Sequence, residues 1–305
     1  MSPDPGLRRP TPLALKLAKH IRTHGPMSVA EYMSACLWDE ASGYYATRQA
    51  IGASGDFITA AEISQVFGEM LGLWTGVVWQ QVLGAPPALA LVEYGPGRGT
   101  MMRDVLRAAR VVPGFAQAVN VHLVEASPVL QALQRDTLAQ AGVPINWGHN
   151  LIGFPAPAII LANEFLDAWP VDQWVKTSHG WRQRGVGLDG NGTLTFCIRD
   201  MSETTGALDS LYPQAPAGAI VESQRPERFA EALGTLSRTG PFAALIIDYG
   251  YATASAGDTL QAVREHRYEY PLASPGEADI SAHVSFYELA SVLHGAGLAI
   301  DGPVT

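Results

Sequence analysis

The chain has 305 residues, of which 47% are hydrophobic and 16% are charged, so it can bury a large core within one elaborated domain or two. A net charge of -9 at pH 7 argues against a general nucleic-acid binder and against binding to an anionic membrane surface. No apolar run approaches the roughly 18 residues of a membrane span, and the start has no signal-peptide core. We therefore expect a soluble, cytoplasmic protein without membrane insertion.

The two cysteines give no sign of a metal site. Cys36 and Cys197 lie far apart and outside any C-x-x-C spacing, which is typical of ordinary buried thiols. No group of His and Cys residues has the spacing of metal ligands, so we expect no bound metal.

Residues 1–85 predict an N-terminal helical cap or lid region. Apolar residues from Leu13 to Ile21 recur at the spacing of an amphipathic helix. Ser28 and Glu31 have the spacing of a capping box, which begins a second helix.

A third helix is predicted after Thr59, which can cap it with Glu62 at the third helical position. Gln65 and Glu69 would share one face of this helix. That face is either a solvated stripe or part of a lid that closes over a cofactor, in which case Thr59 and Gln65 contact the ligand. The predicted apolar face consists of Ile63, Val66, Phe67, Met70, Leu71 and Trp74.

The stretch from Leu89 to Thr100 is the strongest signal in the sequence. A short apolar run predicts a buried parallel strand, and Gly95, Gly97 and Gly99 allow a sharp turn close to a ligand before a helix begins near Thr100. The hydride-cofactor fingerprint G-x-G-x-x-G requires its third glycine one residue later, where Thr100 stands.

Glu93 closes this strand two residues before the first glycine. A carboxylate there opposes a pyrophosphate and suits a cation such as S-adenosylmethionine, which carries an ammonium and a sulfonium. The pattern E-x-G-x-G-x-G is similar to the one by which class I methyltransferases bind that cofactor. The alternative is a chance glycine-rich turn.

A second carboxylate supports the first. Asn120–Glu125 predicts the next strand, and Glu125 at its tip can accept both ribose hydroxyls of an adenosine, although a solvated carboxylate is the alternative. Ser127 is in the preferred N-cap position of the following helix. We include Ser127 and Thr100 among the residues expected to bind the cofactor.

Strands and helices alternate as far as residue 162, which predicts an α/β fold with a doubly wound, mostly parallel sheet. Asn163, Glu164 and Asp167 then leave the tip of a central strand together. If they form a helical turn, Glu164 and Asp167 share a face and can hold one cation, such as a guanidinium. The alternative is that Asn163 caps a turn and Asp167 is solvated.

The alternation breaks in residues 171–240, which predict an antiparallel β insertion with a hairpin turn at Asp189–Gly192. A buried strand at Phe242–Ile247 follows, and residues 252–283 are predicted to form a loop. Ser285 and Glu288 form another capping box, and Leu298 is expected to begin a last strand.

Four separated motifs resemble one family in the same order. It is the family of class I methyltransferases that includes the mitochondrial complex I assembly arginine methyltransferase and its bacterial relatives. The matching motifs are Glu93–Thr100, Gly55–Thr59 with Glu62–Glu69, Asn163–Ala168 and Asp248–Gly250. This chain has Ala60 and Ala61 where the family usually has Ser-Pro.

The resemblance implies a Rossmann-like core over residues 86–305, S-adenosylmethionine as cofactor, and a protein substrate with a target arginine, such as a subunit of respiratory complex I. Asn163, Glu164 and Asp167 would be catalytic, with Tyr249 a weaker candidate that lines the pocket. Family chains usually continue past residue 305, so we expect the C-terminus to be truncated. Two alternatives stay open: a non-catalytic assembly factor that binds S-adenosylmethionine, and a dinucleotide oxidoreductase, which the glycine spacing disfavours.

Overall fold

A computed structural model describes residues 4–47, 60–149, 153–199 and 206–304. The elements of the first half are α1 (Pro12–His24), β1 (Met27–Ser28), α2 (Val29–Trp38), α3 (Tyr44–Thr47), α4 (Ala60–Ile63), α5 (Gln65–Val77), a π-helical turn (Val78–Val82), β2 (Leu89–Tyr94), α6 (Thr100–Ala109), α7 (Phe115–Ala118), β3 (Val119–Val124), α8 (Pro128–Thr137), β4 (Ile145–Gly148) and β5 (Ala158–Asn163). Those of the second half are β6 (Asp172–Thr177), β7 (Gly180–Leu188), β8 (Leu194–Ile198), α9 (Gly206–Leu211), β9 (Ile220–Ser223), α10 (Glu227–Ser237), β10 (Phe242–Ile247), β11 (Gly250–Tyr251), β12 (Gln261–Arg264), β13 (Arg267–Glu269), β14 (Asp279–Ser281), β15 (Val284–Ser285) and α11 (Phe286–Gly295). Across these ranges the helices fall short of the length and apolar character that crossing a membrane requires.

The central sheet has the strand order β10-β5-β2-β3-β4, and each of its neighbouring pairs is parallel. Every residue of β2 is buried, as expected for a strand covered on both faces. The prediction of an α/β, Rossmann-like fold with a doubly wound, mostly parallel sheet is confirmed.

Two apolar cores cover the faces of this sheet. Leu89 and Leu91 of β2 face one core, which they share with α5 and with Val105 of α6. Val92 and Tyr94 face the other core, which contains side chains of α10 and α11. The alternation along β2 therefore places helices on both faces of the sheet.

A second sheet has the order β1-β7-β6-β9, with β8 paired to β7, and its pairs are antiparallel. This is the predicted antiparallel β region, and Gly192 N–H donates to the Asp189 carbonyl oxygen in its hairpin turn. Helices α1 and α2 pack against this sheet through Leu13 and Tyr32, which share a third core with Val186 of β7. Residues 1–85 thus contribute to two cores, because α1 and α2 pack on the antiparallel sheet whereas α5 packs on the parallel sheet.

Two predictions for the second half of the chain are wrong. The predicted loop 252–283 contains β12, β13 and β14, which form an antiparallel three-stranded sheet. Glu265 and His266 adopt positive φ angles of 51° and 60° at the turn between β12 and β13, without the Asn-Gly sequence that marks such turns. Leu298 and Ile300 pack against the α10–α11 core without forming the expected strand.

The predicted third helix is divided into α4 and α5 at Ser64, and its buried face differs from the predicted one. Ile63, Val66 and Met70 are exposed, although Leu71 is buried as expected. Helix α5 instead buries small residues, of which Gly68 and Gly72 face α6. The buried small residues are Gly68, Gly72, Thr75 and Gly76. The apolar periodicity was misleading because close helix packing requires small side chains at the contact.

Gly72 sets the distance between α5 and α6. A Cβ atom at this position would lie 2.4 Å from the Val105 carbonyl oxygen and 2.9 Å from the Ala108 Cβ atom. We expect Gly72→Ala to lower the free energy of unfolding by about 1–3 kcal/mol, since the two backbones must separate. Gly295→Ala is the control, because a Cβ atom there meets nothing within 4 Å. Chemical denaturation of both variants tests this, and an equal midpoint for Gly72→Ala and the parent protein would contradict it.

Candidate active site

The strand order of the parallel sheet reverses between β2 and β5. The chain runs outward from β2 through β3 to β4, and it then returns to β5 and β10 on the other side of β2. Ligands of open α/β sheets bind outside the carboxyl ends of the strands at such a point. The glycine loop after β2 and the polar turn after β5 are therefore neighbours.

The glycine loop requires glycine for conformational reasons. Gly95, Gly97 and Gly99 have φ angles of 61°, 53° and 80°, a region that other residues rarely adopt. A Cβ atom on Gly95 would also lie 2.9 Å from Cδ2 of Phe165. Gly99 is the N-cap of α6, so the loop leads directly into the helix that begins at Thr100.

Two buried carboxylates lie beside this loop. Oε2 of Glu93 is buried and has no hydrogen-bond partner among the described residues. Burial and, to a smaller extent, the nearby charge of Glu125 together raise the pKa of Glu93 to about 8. Glu125 Oε1 accepts the Ser127 N–H at 2.7 Å, and burial raises its pKa as well. An unpaired buried carboxylate at a close backbone approach fits the cationic end of S-adenosylmethionine.

Gln134 of α8 was missed by the sequence analysis, although it connects the predicted cofactor residues. Its Nε2 donates to the Gly97 carbonyl oxygen at 2.7 Å and to Glu125 Oε2 at 3.2 Å. Its Oε1 accepts the Trp147 indole N–H at 2.9 Å. A polar residue on the buried face of a helix, four residues after the buried Leu130, was the available signal.

The turn after β5 is not helical, so the helical arrangement in which Glu164 and Asp167 would share a face does not form. Glu164 adopts a φ angle of 48°, and Asp248, which follows β10, determines the backbone beyond it. Oδ2 of Asp248 accepts three consecutive backbone N–H groups, which a helix would instead leave free at its start. The donors are Phe165 at 3.1 Å, Leu166 at 2.9 Å and Asp167 at 3.2 Å.

Acidic side chains concentrate around this turn, which we call the acidic turn after its residues Glu164 and Asp167. Burial raises the pKa of Asp167 well above its ordinary value, and the charges of Asp248, Asp279 and Glu164 raise it further. Burial likewise raises the pKa of Asp248 to about 6. Glu164 Oε2 is buried without a hydrogen-bond partner in the described part of the chain, and burial raises its pKa. A bound cation would relieve the repulsion among these carboxylates.

Tyrosines lie next to these acids. The exposed Tyr249 follows Asp248 directly, and the charge of Glu164 is the main cause that raises the pKa of Tyr249. The Tyr45 hydroxyl donates to Asp279 Oδ1 at 3.2 Å, and burial raises the pKa of Tyr45 well above its usual value. The acidic turn therefore has aromatic neighbours that can flank a planar cation.

Helix α4 contacts both halves of the site. Ala60 N–H donates to Glu164 Oε1 at 3.1 Å, and the Thr100 hydroxyl donates to Glu62 Oε1 at 2.6 Å. This short helix thus connects the acidic turn to the start of α6.

Two predicted lid residues have different outcomes. Thr59 lies outside the described residues. Gln65 donates to Glu69 at 2.9 Å, so these two side chains share a face as expected. Gln65 also lines a cavity of 270 Å³ together with Arg98 and Thr100 of the glycine loop. Contact between Gln65 and a bound cofactor stays a prediction.

The residues that the structure describes include neither a metal-binding cluster nor an activated thiol. Within the part of the chain that the structure describes, no three His, Cys, Asp or Glu side chains are arranged to hold a metal ion. Cys36 is buried, and burial raises its pKa to about 12, so its thiol stays protonated at neutral pH. Cys197 is partly buried and is also a free thiol.

Comparison with known proteins points to one chemistry. Residues 70–304 match the model of a family described as S-adenosyl-L-methionine-dependent methyltransferases. The protein arginine methyltransferase NDUFAF7, mitochondrial, of Danio rerio is 36% identical over 323 residues, which cover 95% of this chain and 73% of that protein. The Homo sapiens protein of the same name is 34% identical over 335 residues, which cover 99% and 73%.

A solved structure is also similar. A Burkholderia thailandensis protein in complex with S-adenosyl-homocysteine superimposes with a TM-score of 0.80 and 27% sequence identity, covering 96% of this chain and 80% of that one. The expected cofactor, S-adenosylmethionine, is confirmed by these comparisons together with the family match.

The expected cytoplasmic location is wrong. The curated relatives are named as mitochondrial proteins. The prediction was wrong because net charge and the absence of long apolar runs indicate only that a chain is compatible with an aqueous environment. The aqueous compartments of different organelles all provide such an environment.

Gln134 provides a test of the cofactor half of the site. We expect Gln134→Leu to weaken S-adenosylmethionine binding at least about tenfold, since the Gly97 carbonyl and the Trp147 indole lose their buried partner. Calorimetric titration measures the effect, with unfolding midpoints recorded in parallel. Gln131→Leu is the matched control, because Gln131 lies on the same helix and, among the described residues, its side chain contacts only the Glu125 backbone oxygen and Arg135. Equal affinities for Gln134→Leu and the parent protein would show that the loop does not depend on this amide.

Proposed function

Because this chain belongs to a family of S-adenosyl-L-methionine-dependent methyltransferases, we propose that it transfers the methyl group to an arginine side chain of a protein. The observation that carries this proposal is the acidic turn after β5. Glu164, Asp167 and Asp248 are held close together with raised pKa values, and Oε2 of Glu164 has no hydrogen-bond partner in the described chain. A guanidinium presents planar donors that match two carboxylates.

The cofactor residues are proposed from the other half of the site. Glu93 would hold the cationic end of S-adenosylmethionine, Glu125 would hold the ribose hydroxyls, and the glycines would let the backbone approach the ligand. When bound, the cofactor supplies an activated methyl group on sulfonium. Ser127, Thr100, Thr59 and Gln65 complete the proposed set, with Thr59 outside the described residues.

The roles of the acidic turn follow from arginine chemistry. Arginine keeps its proton near neutral pH, with a pKa above about 12, so its nitrogen is a poor nucleophile until its charge is localised. Glu164 and Asp167 would orient the guanidinium and stabilise that charge. Asn163, the residue directly before Glu164, would orient it. Most of the rate enhancement would come from placement and electrostatics.

The target protein is the finer part of the proposal. The family resemblance implies a subunit of respiratory complex I as the substrate. Incubation with labelled S-adenosylmethionine and a protein extract, followed by identification of the labelled protein, tests this directly. A label on lysine, on a nucleic acid or on a small molecule would identify a different methyltransferase activity.

Glu164→Gln tests the role of the acidic turn. Loss of one carboxylate that binds a cation in a dry site costs about 2–4 kcal/mol, so methyl transfer should fall roughly 30- to 1,000-fold while S-adenosylmethionine affinity is retained. Incorporation of label into an arginine-containing protein measures the rate, and titration measures the affinity. The control is Glu231→Gln, since Glu231 is exposed on α10. Comparable turnover by Glu164→Gln and the parent would favour a non-catalytic binder of the cofactor.

The pH dependence provides an independent test. Only ionised carboxylates attract the guanidinium, and burial raises the pKa of Asp248 to about 6 and that of Asp167 well above its usual range. We therefore expect kcat/KM for the protein substrate to increase as pH rises through about 6, because arginine stays protonated throughout this range. Rates are measured at saturating S-adenosylmethionine, so that titration of Glu93 does not contribute. A flat profile from pH 5 to 8 would contradict the assignment.

A further inference from the structure

A second cavity lies beside the acidic turn and has the opposite charge character. Its volume is 640 Å³, and it is formed between the start of α2, the start of α10 and the strands β6 and β7. Three arginines line it: Arg199, Arg225 and Arg228. Such a concentration of positive charge is unusual in a chain whose net charge is -9.

The two carboxylates in the wall of this cavity already have partners. Asp172 accepts from the Arg225 guanidinium at 2.6 Å and from Gln183 Nε2 at 3.1 Å. Glu31 Oε2 accepts the Ser28 N–H at 2.6 Å in the capping box of α2. Arg225 therefore neutralises Asp172, whereas the exposed Glu31 keeps its charge when it accepts from a neutral backbone N–H.

Arg199 and Arg228 have no ion-pair partner among the described residues, and the three arginines of the wall outnumber its two carboxylates. Arg199 donates to the neutral Gln183 Oε1 at 2.8 Å. Arg228 forms no hydrogen bond or ion pair with any residue that the structure describes, and its side chain is exposed. Arg228 also lies in the first turn of α10, an 11-residue helix whose N-cap, Pro226, offers no side-chain acceptor. The free N–H groups there add positive potential, and Glu227 in the same turn opposes it.

The cavity shares a wall with the acidic turn. Trp169 and Pro170 line it, and they follow Asp167 within three residues, which span at most about 11 Å. Gln224, also in the wall, donates to the Leu166 carbonyl oxygen of the turn at 2.8 Å. A chain segment that placed an arginine at Glu164 and Asp167 would therefore lie near the wall that this cavity shares with the turn.

We propose that this cavity binds an acidic side chain of the protein substrate, located about three residues from the target arginine. A carboxylate can accept paired hydrogen bonds from a guanidinium, and Trp169 supplies an apolar surface for its methylene groups. The identity of the occupant rests on the proposed function, whereas the anion preference rests on the arginines alone.

Peptide binding to the full chain tests the proposal. The probes are two fluorescein-labelled 13-residue peptides with a central arginine, one with Glu three positions away on each side and one with Gln at both positions. Fluorescence anisotropy should show about tenfold tighter binding of the Glu peptide, and added salt should reduce that difference. The double variant Arg199→Gln, Arg228→Gln should bind both peptides with the same affinity. That affinity should equal the affinity of the parent protein for the Gln peptide.

Two controls separate the possible outcomes. Arg238→Gln, at the other end of α10, should keep the preference for Glu, because within the described chain the Arg238 side chain bonds only Thr235 of its own helix. A second peptide pair with lysine in place of the central arginine should show the same preference for Glu over Gln. If the proposed function is wrong, the protein will not methylate arginine and will not prefer the arginine peptides to the lysine peptides. The preference for Glu over Gln would still be observed. Equal binding of Glu and Gln peptides to the parent protein, or equal weakening of both by the double variant, would overturn the anion site.

Discussion

One carboxylate oxygen, Oδ2 of Asp248, determines the shape of the turn that carries the proposed catalytic acids. By accepting three consecutive backbone N–H groups, it prevents the helix that would otherwise follow β5 and fixes the backbone at Asp167. The same bonds position Phe165, whose ring stacks on Tyr94 at a centroid distance of 5.4 Å and occupies the space that a side chain at residue 95 would need. The acidic turn and the glycine loop are therefore held in one arrangement, although they belong to different strands.

Features that depend on neighbouring residues were predictable from the sequence. The buried strand β2, the glycine loop, the N-cap Ser127 and the capping box at Ser28 all appear where the local pattern places them. Each depends on backbone conformation or on hydrogen bonds within a few residues, so a single stretch contains the information. The alternation of strands and helices likewise determined that β2 and β5 would end at the same edge of the sheet.

The missed features depend on residues distant in the chain. Gln134 acts through Gly97, which lies 37 positions earlier, and Asp248 acts through backbone groups 81 to 83 positions earlier. The buried face of α5 was mistaken because the hydrophobic period cannot show that α6 approaches too closely for large side chains at Gly72. The prediction of a cytoplasmic location was wrong for a related reason, since overall composition does not specify the compartment in which a protein resides.

The left-handed backbone of Glu164 has a consequence for how this protein can be improved or altered. A side chain at a φ angle of 48° costs of order 1–3 kcal/mol, and the structure compensates with the bond from Glu164 N–H to the Ile247 carbonyl oxygen at 2.9 Å. Glycine at this position would relax the backbone and remove the carboxylate at the same time. A search for thermostable variants would therefore favour the loss of the residue to which we assign the chemistry, so stability alone is the wrong criterion for selecting variants at the end of β5.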